Sequence, residues 1–137
     1  MRTVANVFGW CAAPLFALCA LPAGATDTQV GEALFSRYCA TCHGHGAAGD
    51  GASASALDTS PENLTTLAAG NGGVFPVARV VRRVEGTDRM GADGSPMPVY
   101  GAFFEGAPTV QIETEEGLMT ASLPVLEIVT YLKGLQR

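Results

Sequence analysis

Two cysteines and a histidine fall within five residues, Cys39-Ala40-Thr41-Cys42-His43. Three chemistries use such a set. A closed zinc site wants four protein ligands. This stretch supplies three, His45 would crowd the same turn, and no second C-x-x-C occurs in the chain. A redox-active dithiol wants a C-x-x-C that opens a helix near a βαβ pattern, and no strand pattern precedes Cys39. The third chemistry fits best. C-x-x-C-H is the signature of c-type haem attachment, in which two thiols add across the two vinyl groups of one haem edge. The two-residue spacing lets both sulfurs reach that edge. His43 then projects beneath the iron as its proximal ligand.

An iron held by His43 has a second axial position, and its occupant decides between electron transfer and ligand chemistry. The candidates are Met90, Met97, Met119 and His45. His45 lies too near His43 to reach the other haem face and reads as a loop histidine. Met119 precedes the last helix and reads as packing. Met97 stands between Pro96 and Pro98, whose fixed φ stiffens the backbone that presents a weak thioether ligand. Met97 is therefore the expected ligand, with Met90 and an open or non-methionine site as the alternatives. Thioether ligation favours ferrous iron and raises the potential.

These groups need elements to hold them. Thr28 to Tyr38 reads as a helix with Thr28 as its cap, and Gly31, Phe35 and Cys39 share one face at a spacing of four. A glycine on a buried face implies close approach by another helix. Residues 43 to 56 form a Gly/Ala/Ser-rich turn, and Leu64 to Ala69 suggests a short helix. Pro76 to Val84 is predicted to be a helix with an apolar face of Val77, Val80, Val81 and Val84. Residues 86 to 98 read as a polar loop. Leu123 to Leu135 is an amphipathic helix ended by Gly134. Val110 to Ile112 is too short to claim as a strand, so the expected class is all-α.

The first 25 residues differ from the rest. Arg2 precedes an apolar run from Val7 to Leu21, and Ala23-Gly24-Ala25 offers the small residues of a cleavage site. The run, about 15 residues, is short of the roughly 20 that span a bilayer. The expectation is a signal peptide over 1–25, removed after about Ala25, and a single domain over 26–137. Cys11 and Cys19 leave with that segment, so only Cys39 and Cys42 remain. The destination is the periplasm, and no membrane span remains in the mature chain. With no disulfide available there, covalent haem would itself be the staple of a small fold. The net charge of −5 and the lack of a basic stripe argue against nucleic acid as a partner.

The chain resembles a class I cytochrome c, most closely bacterial monohaem domains of the cbb3-type subunit III or soluble cytochrome c sort. The residues that carry the resemblance are Cys39 to Gly44, Met97-Pro98-Val99-Tyr100-Gly101, Leu64 to Leu67 with Gly72 to Pro76, and Ile128 to Leu132. The resemblance implies three to five helices around one covalently bound haem c, with the N- and C-terminal helices crossing. Gly31, Phe35, Ile128 and Tyr131 match the places where those helices meet. It implies Cys39, Cys42, His43 and Met97 as the haem-binding residues, with His43 and Met97 on the iron. Tyr100 stands where the subgroup commonly has tryptophan. Arg79, Arg82, Arg83 and Arg89 are candidates for the haem propionates.

The expected function is one-electron transfer between redox partner proteins in the periplasm, by an electron carrier and not an enzyme. The alternative is an electron-transfer subunit of a larger dehydrogenase or oxidase complex. No Ser-His-Asp grouping or pair of carboxylates points to a separate enzymatic activity.

Overall fold

The computed structural model describes residues 25–87 and 97–137. Residues 1–24 of the expected leader over 1–25, and residues 88–96 of the expected polar loop with Arg89 and Met90, lie outside the described residues. The chain opens with α1, Ala25–Tyr38, which is followed by the single turn α2, Ala40–His43. Short 3-10 turns at Ala54–Ala56, Leu64–Thr66 and Ala69–Asn71 lead to α3, Val77–Glu85. Beyond a further 3-10 turn, Gly101–Phe104, come β1, Thr109–Thr114, β2, Gly117–Ser122, and the closing helix α4, Leu123–Gly134.

α1 and α4 are the frame. Phe35, Val125 and Ile128 are fully buried between them and α3. The Phe35 and Tyr131 rings stand 5.4 Å apart and tilted, an arrangement worth more than area alone. A Cβ on Gly31 would run into the carbonyl oxygen of Glu127, so only glycine lets the two backbones approach this closely. The four positions matched on the terminal helices thus meet as the family resemblance implies.

The expected all-α class is wrong. β1 and β2 form a two-stranded antiparallel sheet, with Val110 opposite Ala121 and Ile112 opposite Met119. Val110, Ile112 and Thr114 alternate with polar residues, and β-branched side chains suit a half-buried pleated face. Their inner face packs Ile112, Met119 and Ala121 on the core. Glu115 and Glu116 make the turn, and Gly117 takes the left-handed φ of 109° that follows it. A lone hairpin is marginal in water, so its ties to α3 matter. Glu115 accepts from the Ala78 N–H in the first turn of α3 (3.2 Å), Glu116 grips Arg82 with both carboxylate oxygens (2.7 and 2.8 Å), and Glu85 accepts from the Ser122 N–H (2.9 Å).

Other boundaries shift. α1 begins three residues before Thr28, so Thr28 is not its cap. Pro76 is the N-cap of α3 and not its first helical residue. The expected helix over 64–69 is instead two separate 3-10 turns.

Candidate functional site

α1 delivers the cysteine motif. The Cys39 N–H still bonds back to the Phe35 carbonyl (2.8 Å), and the Cys39 carbonyl accepts from His43 N–H (2.9 Å). This one extra helical turn puts Cys39, Cys42 and His43 on the wall of a single cavity. Gly44, at φ 76°, ends the turn. The cavity has a volume of about 500 Å³ and its lining is mostly apolar, with Phe35, Leu64, Leu67, Val80, Ile128 and Leu132 prominent. Met97, Pro98 and Tyr100 line the same cavity. Segments far apart in sequence therefore bring two thiols, an imidazole and a thioether to one apolar chamber. Its size is that of a small-molecule or cofactor site.

The His43 ring is oriented by the backbone. Its Nδ1 lies 3.0 Å from the Glu62 carbonyl oxygen. A carbonyl only accepts, so Nδ1 must carry the proton, which leaves the Nε2 lone pair for a ligand. Glu62 was not read from the sequence. Its contribution is a main-chain oxygen, which no side-chain pattern marks.

Burial pushes the Cys39 thiol up to about 12, with the neighbouring Cys42 adding to the shift. A thiol held that high is a poor nucleophile at neutral pH, contrary to what a redox dithiol needs. Among the described residues no three His, Cys, Asp or Glu side chains converge where a metal ion could sit, so the zinc alternative has no ligand set there. Two thiols, an imidazole whose Nε2 is available and an apolar chamber with a methionine in its wall fit a covalently attached haem.

The remaining candidates separate. His45 is exposed and lines a neighbouring shallow recess with Asp50. Met119 packs with the hairpin against the core and is not part of the chamber wall. Arg79 and Arg83 line the chamber, whereas Arg82 is held by Glu116.

The Met97 side of the chamber is carried by α3. The Tyr100 N–H bonds to the Val84 carbonyl (2.9 Å). Val99 lies over Gly86, the left-handed cap of α3, where a Cβ would strike its side chain. The Tyr100 hydroxyl donates to the Tyr38 carbonyl, which ties this segment to the end of α1. Burial raises the Tyr100 pKa, and the nearby Cys39 and Cys42 add to the rise.

A family model described as cytochrome C oxidase, cbb3-type, subunit III matches residues 26–97. The match covers just over half of the chain, from α1 to Met97, and stops before the hairpin. No curated protein and no solved structure matches.

Proposed function

The chain belongs to the cbb3-type subunit III family of cytochrome c domains, and from that premise we propose that it is a one-electron carrier with His43 and Met97 as its axial ligands. Membership brings a covalently bound haem c and its iron, and places the chain in electron transport. When bound, the haem supplies one electron reversibly at its iron. The observation that carries the reading is the convergence of Cys39, Cys42, His43 and Met97 on one apolar chamber.

Each residue has a task. Cys39 and Cys42 would hold the haem through thioether bonds. His43 would present Nε2, with its proton kept at Nδ1 by the Glu62 carbonyl. Met97 would present its sulfur from the segment that Val84, Gly86 and Tyr100 fix in place. Arg79 and Arg83, which line the chamber, would donate to the propionates, since buried anionic groups need donors. A packed chamber that does not rearrange keeps the electron's transfer cheap in reorganisation, and excluding water raises the potential.

The reading includes a leader over 1–25 cleaved on export, a single domain over 26–137 and work in the periplasm. No described helix is long and apolar enough to cross a membrane. The family description favours one further reading, an electron-transfer subunit of a larger oxidase or dehydrogenase. Val99 and Phe103, 54% and 67% exposed, are apolar surface next to Tyr100 of the chamber wall. Stable co-purification with a larger subunit would select that second reading over a free carrier.

Voltammetry of the haem-loaded protein, with and without carbon monoxide, tests the carrier reading. It predicts one reversible one-electron wave and no carbon monoxide adduct of the ferrous protein. Prompt adduct formation would replace it with ligand chemistry at an open iron.

A further inference from the structure

The Glu62 carbonyl that orients His43 is itself held from an unexpected quarter. Asn63 follows it as the N-cap of the Leu64–Thr66 turn, and its Oδ1 accepts from both the backbone N–H (3.0 Å) and the hydroxyl (2.7 Å) of Thr65. These bonds fix the backbone of Asn63, and with it the peptide plane that carries the Glu62 oxygen. Thr65 is a polar residue only 3% exposed. Its hydroxyl also accepts from Arg137 Nε (3.1 Å), and its carbonyl accepts from the Arg137 N–H (3.0 Å). Gln136 adds a second tie. Its Oε1 accepts from the Ala68 N–H (2.9 Å), and its Nε2 donates to the carbonyls of Leu64 and Leu132 (2.8 Å each).

The residues just after α4 therefore clasp the segment 64–68, which supplies Leu64 and Leu67 to the chamber wall. A buried hydroxyl satisfied at both ends is costly to disturb, because removing it leaves its partners unpaired. On the other side the segment is pinned by the Leu64 N–H to the Ala47 carbonyl (2.8 Å). Both restraints begin within three residues of the Glu62 carbonyl, at Leu64 and Thr65.

We propose that Thr65, fastened by Arg137 within a segment that Gln136 also holds, is a positioning residue that sets the strength of the His43 Nδ1–H to Glu62 hydrogen bond and thereby the electron donation of His43 to iron. The inference rests on the reading of His43 as an iron ligand. A firmly held acceptor makes the imidazole more basic. That favours ferric iron, so loosening the clasp raises the reduction potential.

The experiment compares haem-loaded Thr65→Val, which keeps the shape and removes the hydroxyl, with Thr65→Ser, which keeps the hydroxyl. Voltammetry gives the potential, and NMR follows hydrogen exchange at His43 Nδ1. Thr65→Val is expected to raise the potential and to speed that exchange severalfold, with Thr65→Ser restoring both towards the parent. Gln136→Met removes the second tie without touching the buried hydroxyl, so it supplies the same test if Thr65→Val fails to load haem. It is expected to move both readouts the same way by less. Lower thermal stability with an unchanged potential and unchanged exchange would reduce the clasp to a structural role and overturn the proposal. A parent spectrum with no hyperfine-shifted His43 ring would instead overturn the ligand assignment beneath it.

Discussion

The two walls that carry the proposed axial ligands are built in different ways. The His43 wall is held by backbone geometry over a short stretch. One helical turn sets Cys39, Cys42 and His43, and main-chain oxygens at Phe35, Cys39 and Glu62 fix where they point. The Met97 wall is held at a distance. Val99 and Tyr100 lean on the end of α3, and α3 is gripped by the hairpin through Glu115, Glu116 and Glu85. Local covalent spacing makes the first wall hard to misplace. The second depends on several tertiary contacts, each worth about 1 kcal/mol, so it is the wall that mutation can loosen by degrees.

The largest effect comes from breaking the first wall. The Cys39→Ser, Cys42→Ser double variant should show no haem on a denaturing gel and no cooperative unfolding. A small domain has only about 5–15 kcal/mol of stability and cannot keep an unfilled apolar chamber of this size. Haem that still migrated with the chain would remove the thioether assignment.

Next in size is the joint between α3 and the Met97 segment. Gly86 has a φ of 75° and lies against Val99. Gly86→Ala adds left-handed strain and a clash, together about 1–3 kcal/mol. It should lower the melting temperature and weaken methionine ligation, while covalent haem attachment stays complete. Equal damage to attachment would mean that the two walls are not separable.

A smaller change sharpens the same contrast. Tyr100→Phe removes one hydrogen bond, to the Tyr38 carbonyl, and should cost about 1 kcal/mol in denaturant unfolding. An unchanged midpoint would show that this tie between the walls carries no weight.

The smallest effect lies at the hairpin. The hydrogen bond from Arg82 holds the exposed Glu116 carboxyl below the usual range, with desolvation opposing it and the Arg82 charge adding a lesser pull in the same direction. A depressed carboxylate pKa contributes stability that is present at neutral pH and is lost as pH falls through the folded-state value. Glu116→Gln should therefore lower the melting temperature slightly at neutral pH and low salt. The difference from the parent should shrink in acid or high salt, because exposed pairs are screened. A difference independent of both would mean that the pair acts by packing.

The same contrast explains what could be read in advance. Cys39, Cys42 and His43 are contiguous, and Met97 is marked by the prolines beside it. The shared face of Gly31 and Phe35 follows from helical period. Those signals are local or periodic, so sequence carries them. The hairpin was missed because its alternation covers only Val110, Ile112 and Thr114, and its Glu115-Glu116 turn lacks the Asn-Gly or Asp-Gly signature that marks such turns. The Glu62 carbonyl and the Thr65–Arg137 clasp were missed for another reason. One is a main-chain atom and the other joins residues 72 positions apart, so neither leaves a pattern in a short window. Met97's place in the chamber wall was expected, but the device that holds it there was not.

The claim that joins both walls is that His43 and Met97 hold one iron, and the far-red spectrum of the ferric haem-loaded protein tests it most directly. The account predicts sharp low-spin bands and a weak far-red absorption from methionine on ferric iron, lost in Met97→Ala with a shift to high spin. A parent spectrum without that absorption, or one that Met97→Ala leaves intact, would contradict it.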